Sequence, residues 1–242
     1  MKIKKLISAL VLGSMLVGLS GCNITDFSAE NLLRPPKAVG DEAEIEQLIA
    51  KTADSGYTLK YPKNGKFRSA IIMTDLDGND SNEAVAFFRN SDETSSVHML
   101  VMYSKDNSWE IASDNIFETT DIDSVDFADL TGNGKAEIIV NSTTYTPNVG
   151  KLSCYSYSEG KTTEVGSGQS CSSFVTGDFD NDGTSEIMSL VLYTTENEAL
   201  ASMLDYNEDS KSLYAKAMAN MDPNVVKYKN ICLLYTSDAA DD

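Results

Sequence analysis

Oxygen-bearing side chains recur at alternate positions of the nine-residue stretch 178–186, DFDNDGTSE. Carboxylates stand at positions 1, 3, 5 and 9 of this stretch, and Gly183 stands at position 6, where a tight turn favours a positive φ angle. A chain that curls around a hard cation turns alternate side chains inward and adds a backbone carbonyl at position 7. The stretch therefore predicts a calcium loop, with the ligands Asp178, Asp180, Asp182, the carbonyl of Thr184, and Glu186.

Two further copies of this pattern come earlier in the chain, at 75–83 and 129–137, and successive copies begin 54 and 49 residues apart. The corresponding ligands would be Asp75, Asp77, Asn79, Ser81 and Glu83 in the first copy, and Asp129, Thr131, Asn133, Lys135 and Glu137 in the second. Because calcium affinity follows ligand charge, we expect the third loop to bind best, then the first, then the second. The alternative is that all three are Asp- and Asn-rich turns whose side chains bind their own backbone without a metal.

Each loop is flanked by short segments of apolar and β-branched residues, which predict strands rather than the helices that flank an EF-hand loop. Four strands are expected in every repeat, near 68–74, 83–89, 97–104 and 109–113, then 123–128, 136–145, 151–158 and 161–165, then 171–177, 185–194, 198–206 and 212–217. A period near 50 residues is typical of propellers and solenoids, because one such unit cannot bury its own apolar faces.

At these loops the chain resembles the FG-GAP or VCBS-type repeat proteins, and TGDFDNDGTSEIM (176–188) is close to their motif. More narrowly, residues 1–220 resemble bacterial lipoproteins that carry such repeats behind a short N-terminal helix. The resemblance implies an all-β fold, a partial β-propeller of about three four-stranded blades over residues 57–220. It also implies calcium in the loop between the first two strands of each blade. Family loops usually end in Asp at position 9, whereas all three loops here end in Glu.

Residues 1–21 have the features of an export signal. Three lysines among the first five residues precede an apolar segment, 6–17, that is too short to span a bilayer. The next four residues, 19–22, read Leu-Ser-Gly-Cys and resemble the bacterial lipobox, which implies cleavage before Cys22 and lipidation of its thiol. We therefore expect a cell-membrane lipoprotein facing the extracytoplasmic side. The alternative is an ordinary signal peptide followed by an incidental cysteine.

A tether, 22–40, and a helix, 41–56, are expected to connect this anchor to the repeats. Asp41 and Glu44 resemble a capping box at the start of the helix. Its apolar positions share one face at helical spacing and include Ile45, Leu48, Ile49 and Thr52. We expect that face to pack on the blades, with a partner-binding helix as the alternative.

The end of the chain departs from the repeat pattern. Residues 221–231 predict the first strand of a fourth blade, but no Asp-rich loop with the 1, 3, 5 spacing follows. Residues 232–242 are similar to a translated sequencing adapter, so we suspect a non-native tail on the N-terminal part of a longer protein. The alternative is a genuine acidic tail.

Composition excludes several functions. A formal net charge of −18 argues against nucleic-acid binding, which needs clusters of Lys and Arg. His98 is the sole histidine and lies in an apolar strand, so there is no second histidine for a zinc site and no base for a Ser or Cys nucleophile. Whether Cys154 and Cys171 form a disulfide stays open. We expect a non-enzymatic, calcium-stabilised surface module that binds a protein or a glycan. The alternative is the N-terminal part of an extracellular polysaccharide lyase or hydrolase.

Overall fold

A computed structural model describes residues 40–53, 56–194 and 196–222, which form one helix and thirteen strands. The helix α1 spans Asp41–Thr52, and the strands are β1 (Tyr57–Leu59), β2 (Ile71–Thr74), β3 (Glu83–Asn90), β4 (Val97–Lys105), β5 (Ser108–Phe117), β6 (Ile122–Ala128), β7 (Glu137–Thr143), β8 (Gly150–Ser158), β9 (Lys161–Cys171), β10 (Ser173–Gly177), β11 (Glu186–Tyr193), β12 (Glu198–Asn207) and β13 (Ser212–Met221). The expected export signal, the lipid site Cys22, most of the tether and the final segment from 223 lie outside the described residues.

The strands form three antiparallel sheets, so the prediction of an all-β protein is confirmed. The second and third sheets are simple meanders, β6-β7-β8-β9 and β10-β11-β12-β13. The first sheet has the order β2-β3-β4-β5, with the additional short strand β1 on the same edge of β3 as β2. All twelve strands expected in the three repeats are present, whereas the strand expected at 221–231 lies almost entirely outside the described residues. The largest difference is that the last strand of each sheet is longer than predicted and ends at Phe117, Cys171 and Met221.

The three sheets stack face to face, because successive residues of a strand point to opposite faces. In β7, which lies in the middle sheet, Ile138 contacts the core shared with the first sheet and Ile139 contacts the core shared with the third. The first of these cores includes Phe87 and Met99, which are fully buried. Alternation on both faces of each sheet therefore builds a layered molecule rather than a single two-sided core.

Helix α1 covers the outer face of the first sheet. Ile45 and Ile49 are fully buried against a cluster that includes Phe88 and Trp109, which confirms the predicted apolar face of the helix. The predicted capping box is wrong. The N-cap is Gly40, no side chain caps the helix, and the Gly40 carbonyl accepts the first backbone hydrogen bonds. Three acidic residues in the first turn still suit the positive end of the helix dipole.

An excursion from the first sheet ties it to the second. Strands β1 and β2 continue along one edge of β3, where Lys60 and Ala70 still bond to Phe87, but the nine residues 61–69 leave that edge. The backbone N–H of Lys63 donates to the carbonyl of Ile122 at 3.2 Å, and both Lys60 and Lys63 form ion pairs with Asp121. Burial tends to raise the pKa of Asp121, but the hydrogen bonds from these two lysines outweigh it and lower the pKa. The excursion thus braces the first two sheets.

The outer face of the third sheet has no further layer upon it within the described residues. It presents Met188 and Leu190 from β11, with Ala201 and Met203 opposite them on β12. These side chains are partly exposed, whereas the corresponding face of each earlier sheet is covered by the next sheet along the chain. Within the described residues α1 covers one end of the stack, and no helix or sheet covers the other, although Leu192 and Ala199 on that face are buried.

Candidate metal centre

The three acidic loops connect the first two long strands of their sheets and lie next to one another. The N–H of Ala136 in the second loop donates to the carbonyl of Leu76 in the first loop at 3.0 Å. The N–H of Ser185 in the third loop donates to the carbonyl of Asp129 in the second at 2.8 Å. Stacking of the sheets therefore places loops that are about fifty residues apart in sequence in direct contact.

Side-chain oxygens fix the shape of each loop through the same set of hydrogen bonds. In the third loop Asp178 accepts the N–H groups of Asp182 and Gly183, both at 3.1 Å, and Asp182 accepts the N–H of Thr184 at 2.8 Å. The first and second loops repeat these contacts from Asp75 and Asn79, and from Asp129 and Asn133. The glutamate at position 9 accepts the N–H of position 2 at 2.8 Å in all three loops. Part of every loop therefore does what the metal-free alternative expects of Asp and Asn turns.

Two positions in each loop adopt the left-handed backbone conformation. Position 4 has φ angles of 74°, 70° and 63° at Gly78, Gly132 and Asn181. Position 6 has φ angles of 64°, 79° and 95° at Asp80, Gly134 and Gly183. The sequence pattern had indicated this requirement at position 6 alone. Gly, Asn and Asp are the residues that tolerate this conformation best, so their occurrence at both positions was the signal that sequence reasoning missed.

The third loop gathers four carboxylates around one point. Asp178, Asp180, Asp182 and Glu186 each offer an oxygen, and these oxygens lie within 4.8 Å of one another. Three of the four side chains are exposed, but Glu186 is fully buried. Its Oε2 accepts the N–H of Phe179, whereas its Oε1 has no hydrogen-bond partner. A buried carboxylate oxygen without a donor is costly, so this group can hold a metal ion that supplies the missing partner.

The first loop presents a smaller version of the same arrangement. Asp75, Asp77 and Glu83 bring three carboxylates within the same distance, and Oδ1 of Asp77 is buried without a partner. Burial raises the pKa of Glu83, against the hydrogen bond from the Leu76 N–H. Among the described residues four buried side-chain oxygens lack a partner, on Asp77, Asn90, Asn141 and Glu186. Half of these atoms therefore belong to the acidic loops.

The second loop satisfies its buried acid internally. Oε2 of Glu137 accepts the N–H groups of Leu130 and Thr131, and Oε1 accepts the Thr131 hydroxyl at 3.1 Å. Burial raises the pKa of Glu137 against these hydrogen bonds. The hydroxyl of Thr131, at position 3, thus supplies the partner to the buried glutamate that a cation would supply in the other loops. The buried glutamate of the second loop is therefore left with no oxygen that lacks a partner.

Hydrogen bonds also favour the ionised form of individual ligands. The hydroxyl of Thr184 and then its N–H lower the pKa of Asp182. Partial burial tends to raise the pKa of Asp75, but backbone N–H groups, that of Asp80 foremost, outweigh it and lower the pKa. Carboxylates held in this state at neutral pH are prepared to bind a cation without first losing a proton.

The histidine and the two cysteines of the described residues are buried and have structural roles. His98 is buried in β4, with Nδ1 at 2.9 Å from both carboxylate oxygens of Asp114 and Nε2 at 3.1 Å from Oε2 of Glu93. This agrees with its interpretation as a strand residue rather than a metal ligand. Cys154 and Cys171 are buried free thiols, and no disulfide joins them. Burial raises the pKa of both thiols, that of Cys171 to about 12.

The chain matches no known family model and no curated protein. The part of the chain that the structure describes contains no helix with the length and hydropathy of a membrane span. Function is therefore inferred from the geometry of the loops.

Proposed function

We propose that this protein is a membrane-anchored calcium-binding module built from β-propeller blades of the FG-GAP or VCBS type, and that it binds a protein or glycan ligand without catalysis. The observation that carries the proposal is the buried, partnerless Oε1 of Glu186 beside three aspartates. The donors are all oxygens, which suit hard cations, and the loop lacks the nitrogen and sulfur ligands that zinc or copper prefer. Asp178, Asp180, Asp182 and Glu186 would hold the ion, with the Thr184 carbonyl as a further ligand.

The propeller assignment is supported by the repeated architecture. Each sheet is an antiparallel meander, and each acidic loop joins its first two long strands. Neighbouring loops are joined by backbone hydrogen bonds, as expected where blades succeed one another around a common axis. The third sheet leaves an apolar face, where a further blade would pack.

A binding role is favoured over catalysis by the way the reactive groups are used. Both ring nitrogens of His98 face carboxylates inside the protein, and the two described cysteines are buried with raised pKa values. The acids best placed for chemistry are the ones that shape the loops. The module would therefore present a rigid surface, and calcium would serve the fold of that surface.

Calcium should raise the thermal stability of the full chain, and Glu186→Gln should abolish most of that gain. For a site with a Kd of about 0.1 mM in about 1 mM calcium, the linkage gain is about 1.4 kcal/mol. That gain corresponds to a rise in Tm of roughly 3 to 6 °C for a domain of this size. Thermal melts with calcium chloride and with chelator measure the effect.

The matched control for this experiment is Glu137→Gln, the same change at the same position of the second loop. It should leave the calcium-dependent shift as in the wild type, because Glu137 is already satisfied by backbone and Thr131 donors. The calcium assignment is wrong if chelation leaves the Tm of the wild type unchanged. It is also wrong if calcium raises the Tm of Glu186→Gln and Glu137→Gln equally.

Cys22→Ser should release the protein from the membrane fraction. The expected reason is loss of the acyl chains, each of which contributes about 0.8 kcal/mol per buried CH₂ group to anchoring. Metabolic labelling with a fatty acid, followed by fractionation, measures the effect. Equal label in the wild type and the variant would contradict the lipoprotein assignment.

A further inference from the structure

The three sheets carry an irregularity at equivalent places. At the equivalent point of the last strand in each sheet one residue has no partner in the register, and these residues are Ala112 in β5, Val165 in β9 and Lys216 in β13. Strand β9 has a second unpaired residue, Gly168. Ala112 and Val165 pack into the cores that their sheets share with the next sheet. The repeat thus has an apolar residue at this bulge twice and a lysine once.

Lys216 uses this position to reach the third acidic loop. Its ammonium group forms an ion pair with Asp180, the ligand at position 3 of that loop, and a second ion pair with Asp205 at 2.8 Å. Asp205 is mostly buried and also accepts the N–H of Tyr206 and the hydroxyl of Tyr214. The ammonium group therefore bridges a loop ligand and a fixed acid that stays satisfied by other donors.

The geometry points to Lys216 as a tethered cation that competes with calcium for Asp180 and so lowers the affinity of the third loop. This inference rests on the proposed calcium function. A calcium ion and the Lys216 ammonium group would both bind the Asp180 carboxylate. Because both are positively charged, they would repel one another at neighbouring positions on it. When calcium enters, Lys216 gives up Asp180 and keeps Asp205. Lys216 stabilises the calcium-free loop. Calcium binding must therefore supply the free energy that breaks the ion pair between Lys216 and Asp180.

The first and second loops have no such competitor at the equivalent bulge, because alanine and valine stand there. The third loop has the most carboxylates, and part of its negative charge is neutralised by the ammonium group of Lys216. Lys216 adjusts the strongest site toward weaker binding, so that it responds to calcium over a higher concentration range.

The test is Lys216→Met in the full chain, with calcium binding followed by isothermal titration and stability followed by thermal melts. The variant should bind calcium about fivefold more tightly, as expected for the loss of one partly exposed ion pair. Its Tm in chelator should fall, while its calcium-dependent rise in Tm should grow. A purely structural ion pair would lower the Tm equally with and without calcium.

Two controls separate charge from shape. Lys161→Met removes an exposed lysine at the start of β9 and should leave the calcium midpoint unchanged. Lys216→Arg keeps the positive charge and should bind calcium as weakly as the wild type. An unchanged or weaker midpoint in Lys216→Met would overturn the competition while leaving the calcium assignment standing. Absence of calcium binding in both the wild type and Lys216→Met would overturn both.

Discussion

Replacing Phe87 by alanine should lower the free energy of unfolding by about 3 to 5 kcal/mol, the usual cost of removing a fully buried phenylalanine. Phe87 is completely buried in the core between the first and second sheets. Its backbone also accepts the N–H of Lys60 and donates to the carbonyl of Ala70, so it spans the two points at which the excursion leaves and rejoins the sheet. The cavity would therefore weaken the packing between the first two sheets and loosen the edge from which the excursion departs. Chemical denaturation followed by circular dichroism measures the loss.

The control for this prediction is Ile116→Ala in β5. Ile116 is 59% exposed, so its truncation should change stability by no more than about 0.5 kcal/mol. Similar losses in the two variants would contradict the layered core described above, because they would mean that burial at Phe87 contributes no more than an exposed contact.

Replacing His98 by alanine should cost about 2 to 3 kcal/mol of stability, more than its isolated place in the sequence suggests. The imidazole stacks on Phe88 with ring centroids 4.9 Å apart and separates the carboxylates of Glu93 and Asp114. Its removal leaves a gap beside Phe88 and two acids without the group that lies between them. Both carboxylates keep some contact with water, so the loss stays below that of a deeply buried pair.

The acid limb of the stability curve gives this prediction a second readout. The hydroxyl of Ser96, and then His98, lower the pKa of Glu93. A carboxyl whose pKa is lower in the folded state stabilises the fold above its unfolded pKa, and that contribution is lost as the pH falls through the folded value. The stability of His98→Ala should therefore decline less steeply than that of the wild type between about pH 5 and pH 3. An identical slope of stability against pH in both proteins would mean that His98 does not lower the pKa of Glu93.

Strand pattern predicted most of the fold because it depends on local rules. Alternation of apolar residues on both faces and polar turns between strands located all twelve strands of the three meanders. The helix was equally local, since Ile45 and Ile49 recur at helical spacing ahead of the first strand. The N-cap was predicted wrongly. Asp41 and Glu44 have the spacing of a capping box, but glycine is also a common N-cap residue, and Gly40 precedes Asp41.

Contacts between sheets could not be predicted in the same way. The excursion 61–69 pairs with β6 through its backbone, and a backbone hydrogen bond places no requirement on residue type. Lys216 reaches Asp180 only because a bulge turns it toward the loop, and its distance in sequence gives no hint of that contact. Spacing did indicate which carboxylates of the first and third loops lie close together. The partnerless oxygen of Glu186 became visible only once its burial was known.

The layered stack has a consequence for how the molecule opens. Each sheet gains its support from its immediate neighbours, as in a one-dimensional array, and the third sheet has such a neighbour on one side only within the described residues. Local opening of the third sheet should therefore cost less free energy than unfolding of the whole chain. The loop richest in carboxylates belongs to that layer. A cation bound there would hold this sheet together against local opening, and its resistance to proteolysis would then depend on calcium more strongly than the equilibrium stability does.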